Sequence, residues 1–198
     1  VSAPLADSST ERPEALRART LCEAFQRTAA RWADHPALRA YGSDESWSWA
    51  EYADAVRRRA AGLAALGLAR GDTIGFLLAN RPAFNLTDTA AMHLGATCWS
   101  IYATAAPEQM EQMLRNAGSR IVVTEQALLA RPLAVRARVP FLEHVVVVDG
   151  PAAGGLISID ELERLGAPDF DFEAAWRAVA PEDVLCLIYS SGTTGPSK

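Results

Sequence analysis

Lysine is almost missing from this chain: of 19 basic residues 18 are arginine, and the one lysine is Lys198. A sequence that uses arginine wherever a plain positive charge serves has kept a single compact, flexible ammonium. That is the group suited to a point contact with phosphate, whereas a guanidinium is bulkier and planar. Cysteine is scarce too. Cys22, Cys98 and Cys186 are odd in number, far apart and in no CxxC arrangement, which suggests neither a disulfide framework nor a zinc site and reads them as small core residues. His35, His93 and His144 are scattered without metal-ligand spacing, so each reads as structural. No apolar run approaches the roughly 20 residues of a membrane helix, and residues 1–19 lack the apolar core of a signal peptide. The expectation is a cytoplasmic protein with no transmembrane segment, whose contact with a membrane, if any, is peripheral. An excess of positive charge is also lacking: the net charge is -5, which argues against nucleic acid and anionic lipid as partners and leaves small molecules. Internal repeats and low-complexity tracts are absent, which excludes solenoids and disordered arrays.

What is present is a chain of 198 residues, 49% hydrophobic, enough for one domain with a substantial core. Residues 1–19 mix Ser8, Ser9, Thr10, Pro4 and Pro13 with charges and read as a lightly structured lead-in to a domain over 20–198. Thr20 with Glu23 forms a capping-box pattern that opens a helix ending at His35-Pro36. A hairpin is expected over 38–49, turning at Gly42-Ser43-Asp44-Glu45. Ser48 with Glu51 repeats the capping box and opens a long helix that ends near Leu66-Gly67. Arg57-Arg58-Arg59 within it spans nearly a full turn and reads as a solvated face.

From residue 73 onward short apolar runs alternate with amphipathic stretches, the rhythm of βαβ units. Strands are predicted over 73–79, 97–101, 121–124, 145–149 and 184–189. Helices are predicted over 82–94, 107–116 and 125–138, the last interrupted at Pro132, with irregular structure over 150–181 and a helix over 172–179. Val145-Val146-Val147-Val148 and Leu185-Cys186-Leu187-Ile188 show no polar alternation, so both faces of each strand should be covered. The fold class is α/β, a largely parallel, doubly wound sheet flanked by helices.

Ligands of such sheets bind at the carboxyl ends of the strands. The strand predicted over 184–189 runs directly into Ser190-Ser191-Gly192-Thr193-Thr194-Gly195-Pro196-Ser197-Lys198. Gly192 and Gly195 permit a tight bend and close approach to an anion, and successive amides there can form a nest of donors. Ser190, Ser191, Thr193 and Thr194 add hydroxyl donors, and Lys198 adds the charge. Together they match the terminal phosphates of a nucleotide held with Mg2+. A Walker A loop does not fit, because only two residues separate the glycines and the lysine stands three beyond the second. A dinucleotide fingerprint is absent from the first predicted βα turn, where Ala79-Asn80-Arg81-Pro82 stands.

The segment from Tyr189 to Lys198 resembles the phosphate-loop motif of the adenylate-forming superfamily, which holds acyl- and aryl-CoA synthetases, luciferases and peptide-synthetase adenylation domains. Trp47 to Tyr52, Gly71-Asp72-Thr73-Ile74, Leu78 to Pro82 and Gly95-Ala96-Thr97 resemble that family's N-terminal region in the same order. Ser100-Ile101-Tyr102 with Pro107-Glu108-Gln109 looks most like the long-chain fatty acyl-CoA synthetases. The resemblance implies an intact enzyme that joins a carboxylate to the α-phosphate of ATP and passes the acyl group to coenzyme A. ATP, Mg2+ and coenzyme A would be its cofactors and co-substrates, a fatty acid its substrate, and Ser190, Ser191, Gly192, Thr193, Thr194, Gly195 and Lys198 its nucleotide-binding residues. Aryl-CoA ligases and other adenylation domains stay open as alternatives, as does a non-catalytic nucleotide-binding module. One departure is Ser197, where the family usually has proline before the lysine. The family's adenine-binding segment, magnesium-binding glutamate and mobile C-terminal domain would lie beyond Lys198, so no catalytic residue is assigned here and the chain alone is expected to be inactive.

Overall fold

Helix starts fall where a side chain can satisfy an orphan backbone N–H, or where proline makes one unnecessary. In the computed structural model, which describes residues 13–189, the Thr20 hydroxyl accepts from the Glu23 N–H at 3.2 Å to open α1 (Leu21–Arg31). The Glu23 carboxylate does not close the box on Thr20; it accepts from the Arg19 N–H at 2.8 Å. Ser48 and Glu51 form the full reciprocal box at the start of α2 (Trp49–Ala65). Proline opens α3 (Pro82–His93) and α4 (Pro107–Ala117). Between α1 and α2 the expected hairpin is present as β1 (Pro36–Arg39) and β2 (Ser46–Ser48), a small antiparallel pair. The helix expected over 125–138 is broken earlier than Pro132: a 3-10 turn at Gln126–Leu128 precedes α5 (Ala130–Arg136). Pro132 then occupies the first turn, where a missing N–H leaves no intrahelical bond unmade.

Six parallel strands form the central sheet: β3 (Thr73–Leu77), β4 (Thr97–Ser100), β5 (Ile121–Thr124), β6 (His144–Val147), β7 (Ile157–Ser158) and β8 (Cys186–Leu187). Their order is β7-β6-β5-β3-β4-β8. The strand β7 lies in the region read as irregular, and at two residues it is too short to leave a sequence period. It is followed by α6 (Ile159–Leu165), capped by Ser158, and α7 (Phe172–Arg177). Chain direction reverses around β3. The β3-α3-β4 crossover moves one way, while β4-α4-β5 and β5-α5-β6 move the other, so right-handed crossovers put α3 and the pair α4, α5 on opposite faces. Residues alternate between the two cores accordingly. Ile74, Phe76, Ile121, Val123 and Val146 pack toward α2 and α3, whereas Leu77, Val122 and Val145 pack toward α4 and α5.

That two-sided burial holds for the central strands and fails for β8. Val184, Leu185, Cys186 and Ile188 are exposed, Val184 at 58% and Ile188 at 83%. The strand forms one edge of the sheet, paired only to β4 among the described residues. An apolar run has the same appearance at an edge as at the centre; strand order decides whether anything covers it.

Helix α2 shows why three successive arginines cannot share a fate. Three adjacent positions fan across most of a helix circumference, so one must face inward. It is Arg59, 5% exposed, which donates to Glu163 Oε1 at 3.0 Å and Thr87 Oγ1 at 2.9 Å. Arg58 pairs with Asp54 and with the second oxygen of the same Glu163 at 2.7 Å. Arg57 lies over the Phe172 ring at 5.4 Å. The reading of this triplet as a solvated face therefore holds for Arg57 and Arg58, which are exposed, and fails for Arg59. Glu163 can reach α2 because Gly62 leaves no side chain between α2 and α6; a methyl group there would overlap the Leu162 carbonyl.

His93 closes α3 inside the core. Its ring stacks on Phe172 at 5.4 Å and meets the Phe25 ring edge-on at 5.2 Å. Nδ1 lies 2.7 Å from the Thr89 carbonyl, which can only accept, so Nδ1 carries the proton and Nε2 accepts from Gln26 Nε2 at 3.0 Å. Burial pulls its pKa from 6.5 down to about 4.

Two outcomes follow. Gly62→Ala gains roughly 1 kcal/mol of helix propensity but must separate α2 from α6, so urea unfolding should show a net loss of roughly 1–3 kcal/mol. The neutral His93 contributes stability that is complete above pH 6.5 and is lost as pH falls from 6.5 toward about 4, because the unfolded chain takes up that proton first. The span corresponds to roughly 3 kcal/mol. Comparing unfolding free energies of the wild type and His93→Gln across this window should show a shallower slope in the variant.

Candidate functional site

The carboxyl ends of the strands carry two polar arrangements, one on each side of β3. Between β3 and β5, where the crossovers diverge and open sheets commonly leave a crevice, Arg81 fills the gap. Its Nη1 donates to Glu125 Oε2 at 3.2 Å and to Asp149 Oδ2 at 2.7 Å. Asp149, mainly, holds the Arg81 guanidinium above its ordinary pKa. The other Asp149 oxygen accepts from the Gln126 N–H at 2.8 Å, which ties the turn before α5 to the end of β6. This bridge spans residues 44 and 68 positions apart. Sequence reading did not find it, because nothing local marks the three residues as neighbours.

On the far side, β4 and β8 deliver a different set of groups. Each end of β8 is fixed. At its start Arg70 makes a bidentate pair with Asp183 at 2.7 and 2.8 Å, and the Thr97 hydroxyl donates to the Val184 carbonyl at 2.7 Å. At its finish Tyr189 is buried, and its ring tilts against Trp99 with centroids 5.1 Å apart. The Tyr189 hydroxyl reaches the last turn of α4, 2.8 Å from Asn116 Oδ1 and 3.2 Å from the Met113 carbonyl. From the other side the Tyr102 hydroxyl donates to the Tyr189 carbonyl at 2.9 Å. Ring, hydroxyl and carbonyl of one residue are thus each held by a different element.

Trp99 is the centre of this anchor. It is 2% exposed, a core residue that also borders the cavity beside β8. Its indole lies over Gly75 of β3, its partner in register, where a Cβ would sit 3.1 Å from the ring. The indole N–H donates to Ser119 Oγ at 2.8 Å. Ser119 and Thr73 hydroxyls are 2.6 Å apart, and Thr73 donates onward to the Ala117 carbonyl at 2.8 Å, so the protons of the whole chain run in one direction. Tyr102, by contrast, is more than half exposed.

The predicted nucleotide-binding residues Ser190, Ser191, Gly192, Thr193, Thr194, Gly195 and Lys198 lie outside the described residues. Their attachment point does not: the loop leaves Tyr189 at the carboxyl edge of the sheet. Beside that point is a cavity of about 260 Å3 lined by Phe84, Asp88, Cys98, Tyr102, Cys186 and Ile188. Burial pushes the Asp88 carboxyl above its ordinary pKa. A larger cavity, about 440 Å3, lies at the opposite, amino ends of β4 and β8 and is walled by Leu16, Leu21, Met92, Val184 and Leu185. Its lining is mostly apolar, with Arg19, Thr20 and Asp183 among its residues. Among the described residues no three His, Cys, Asp or Glu side chains are grouped to hold a metal ion. Nor is any described helix long and apolar enough to cross a membrane. Of the three cysteines, Cys22 and Cys98 are buried as expected and Cys186 is exposed, a consequence of the open edge of β8.

A family model described as AMP-binding enzyme matches residues 25–198. An uncharacterized protein of Mycobacterium tuberculosis is 46% identical over 143 residues, covering 72% of this chain and 77% of that protein. The 4-coumarate–CoA ligase 3 of Oryza sativa subsp. japonica is 37% identical over 156 residues, which are 78% of this chain and 26% of the ligase. In the crystal structure of the anthranilate CoA ligase AuaEII in complex with anthranoyl-AMP, the matched portion has a TM-score of 0.78 at 25% identity, covering 87% of this chain and 32% of that chain. The chain thus spans between a quarter and a third of the length of these two ligases. With a family model that matches residues 25–198 and a solved ligase whose fold it shares over 87% of its length, this chain belongs to the AMP-binding enzyme family.

Proposed function

We propose that this chain supplies the phosphate-binding region of an ATP-dependent acid–CoA ligase, which activates a carboxylic acid as its adenylate and then transfers the acyl group to coenzyme A. One observation carries the reading: Tyr189, clamped through its ring, hydroxyl and carbonyl, fixes the base of the Ser190–Lys198 segment at the carboxyl edge of a parallel sheet. That edge is where backbone donors converge on anions. Gly192 and Gly195 let the backbone approach phosphate, the hydroxyls of Ser190, Ser191, Thr193 and Thr194 donate to its oxygens, and the Lys198 ammonium neutralises charge. Magnesium, when bound with ATP, would add neutralisation between phosphate oxygens. The contribution of these residues is positioning and electrostatic stabilisation, and none of them needs to act as nucleophile or base.

A fatty acid is the substrate favoured by the Ser100-Ile101-Tyr102 and Pro107-Glu108-Gln109 segments. An aromatic acid is the second reading, and the 37% identity to a coumarate ligase supports it. Both predict ATP–pyrophosphate exchange in the complete protein that depends on the added acid. A panel of fatty and aromatic acids separates them, and silence across the whole panel would overturn the ligase reading. Release of ADP in place of AMP would make the loop that of a phosphotransferase.

The anchor has its own expectation. Lys198→Ala should lower exchange roughly 100-fold, the scale of removing one preorganised donor to developing charge. Tyr189→Phe keeps the ring against Trp99 but leaves the end of α4 without its hydroxyl partner, a change of roughly 1 kcal/mol. Exchange should then fall about fivefold, with a raised KM for ATP and an unchanged KM for the acid.

A further inference from the structure

The two cysteines that flank the loop-bearing strand face each other. In the register of the parallel β4–β8 pair, Cys98 stands opposite Cys186, and the Cys98 N–H donates to the Leu185 carbonyl at 3.2 Å. Residues in register across a parallel pair project from the same face, and both thiols line the 260 Å3 cavity with Phe84 and Asp88 of α3. Adjacent strands lie roughly 4.8 Å apart, within the roughly 4.4–6.8 Å Cα separation of disulfides. The Cβ separation of directly opposed positions is somewhat wider than a disulfide prefers, so one strand must shift toward the other. The shift falls on β8, which is anchored at its two ends but is only two residues long and has no neighbour on its outer side among the described residues.

Access is asymmetric in the way a two-step oxidation needs. Cys186 is exposed at the mouth of the cavity, whereas Cys98 is 5% exposed at its floor. Burial, above all, raises the Cys98 thiol well above its ordinary pKa and keeps it protonated. Cys22 takes no part. It sits in α1, buried, donating to the Met92 carbonyl at 3.4 Å, with burial pushing its pKa up to about 12.

We propose that Cys98 and Cys186 form a reversible disulfide that locks β8, and with it the base of the phosphate-binding segment, to β4. The co-reactant is a peroxide. The Cys186 thiolate attacks one peroxide oxygen, the O–O bond breaks, and Cys186 becomes a sulfenic acid as hydroxide leaves and takes up a proton. The Cys98 sulfur then attacks the Cys186 sulfur; the S–S bond forms, the S–O bond breaks, and the departing hydroxide leaves as water with the Cys98 proton. Two thiols are oxidised by two electrons in all, and one hydrogen peroxide is reduced to two waters. A dithiol reverses the bond. The proposal is independent of which acid the protein activates, since it requires only the β4–β8 register and the shared cavity.

The test is made on the full 198-residue chain. Hydrogen peroxide is added, free thiols are alkylated under denaturing conditions, and peptides are mapped by mass without reductant. The expected product is a Cys98–Cys186 linked peptide, two hydrogens lighter than the sum of its parts, that dithiothreitol abolishes. Because the bond closes a long loop, the oxidised chain should unfold at a midpoint higher by roughly 5–10 °C. Cys98→Ser and the surface variant Cys186→Ser should each lose both the linked peptide and the shift. Three results would overturn the proposal: Cys186 carried on to sulfinic acid with Cys98 still alkylated, a chain dimer linked through Cys186, or a linked peptide that includes Cys22.

Discussion

Everything in this molecule is arranged around a sheet that is apolar on both faces. Val122, Val123, Val145 and Val146 leave β5 and β6 no polar side to turn toward water, so helices must cover the sheet above and below. Parallel strands need long crossovers in any case, and right-handed crossovers running in opposite directions distribute the helices to the two faces. One result is that all the strand-to-helix turns gather at a single edge. Chemistry at that edge comes from whichever residues the turns carry.

The two halves of the edge have been put to different use. Arg81, Glu125 and Asp149 close the side between β3 and β5 with ion pairs, while the β4–β8 side stays open beside the segment that carries Lys198. Tyr189 ties the end of β8 to the packed core. Its ring belongs to the cluster under α4, and its carbonyl is held by an exposed tyrosine. Side-chain and backbone contacts thus hold the chain up to the last described residue, Tyr189.

How much of this was legible in the sequence depended on range. Capping at Thr20 and Ser48, proline at the heads of α3 and α4, and the valine runs of the central strands are local signals, and each appears where the pattern put it. Features that depend on strand order were not legible. Nothing in Leu185-Cys186-Leu187-Ile188 distinguishes an edge strand from a central one, so its exposure and that of Cys186 came as a correction. Arg59 read as surface because sequence gives the period of a helix but not which neighbour will arrive from residue 163. The candidate site divides in the same way. Its loop composition was readable, whereas its anchors at Tyr102, Trp99 and Asn116 come from three separate elements that only the fold brings together.

The buried Arg59–Glu163 pair has a consequence for how the chain is made. The two partners are 104 residues apart, so on a ribosome adding roughly 5–20 residues per second the arginine is synthesised roughly 5–20 s before its acid exists. During that interval α2 cannot seat against the sheet without an uncompensated cation in a dry environment. Until α6 is made, only the neutral oxygens of Ala83 and Thr87 can accept from Arg59, so the charge of this layer is balanced by the later of its helices.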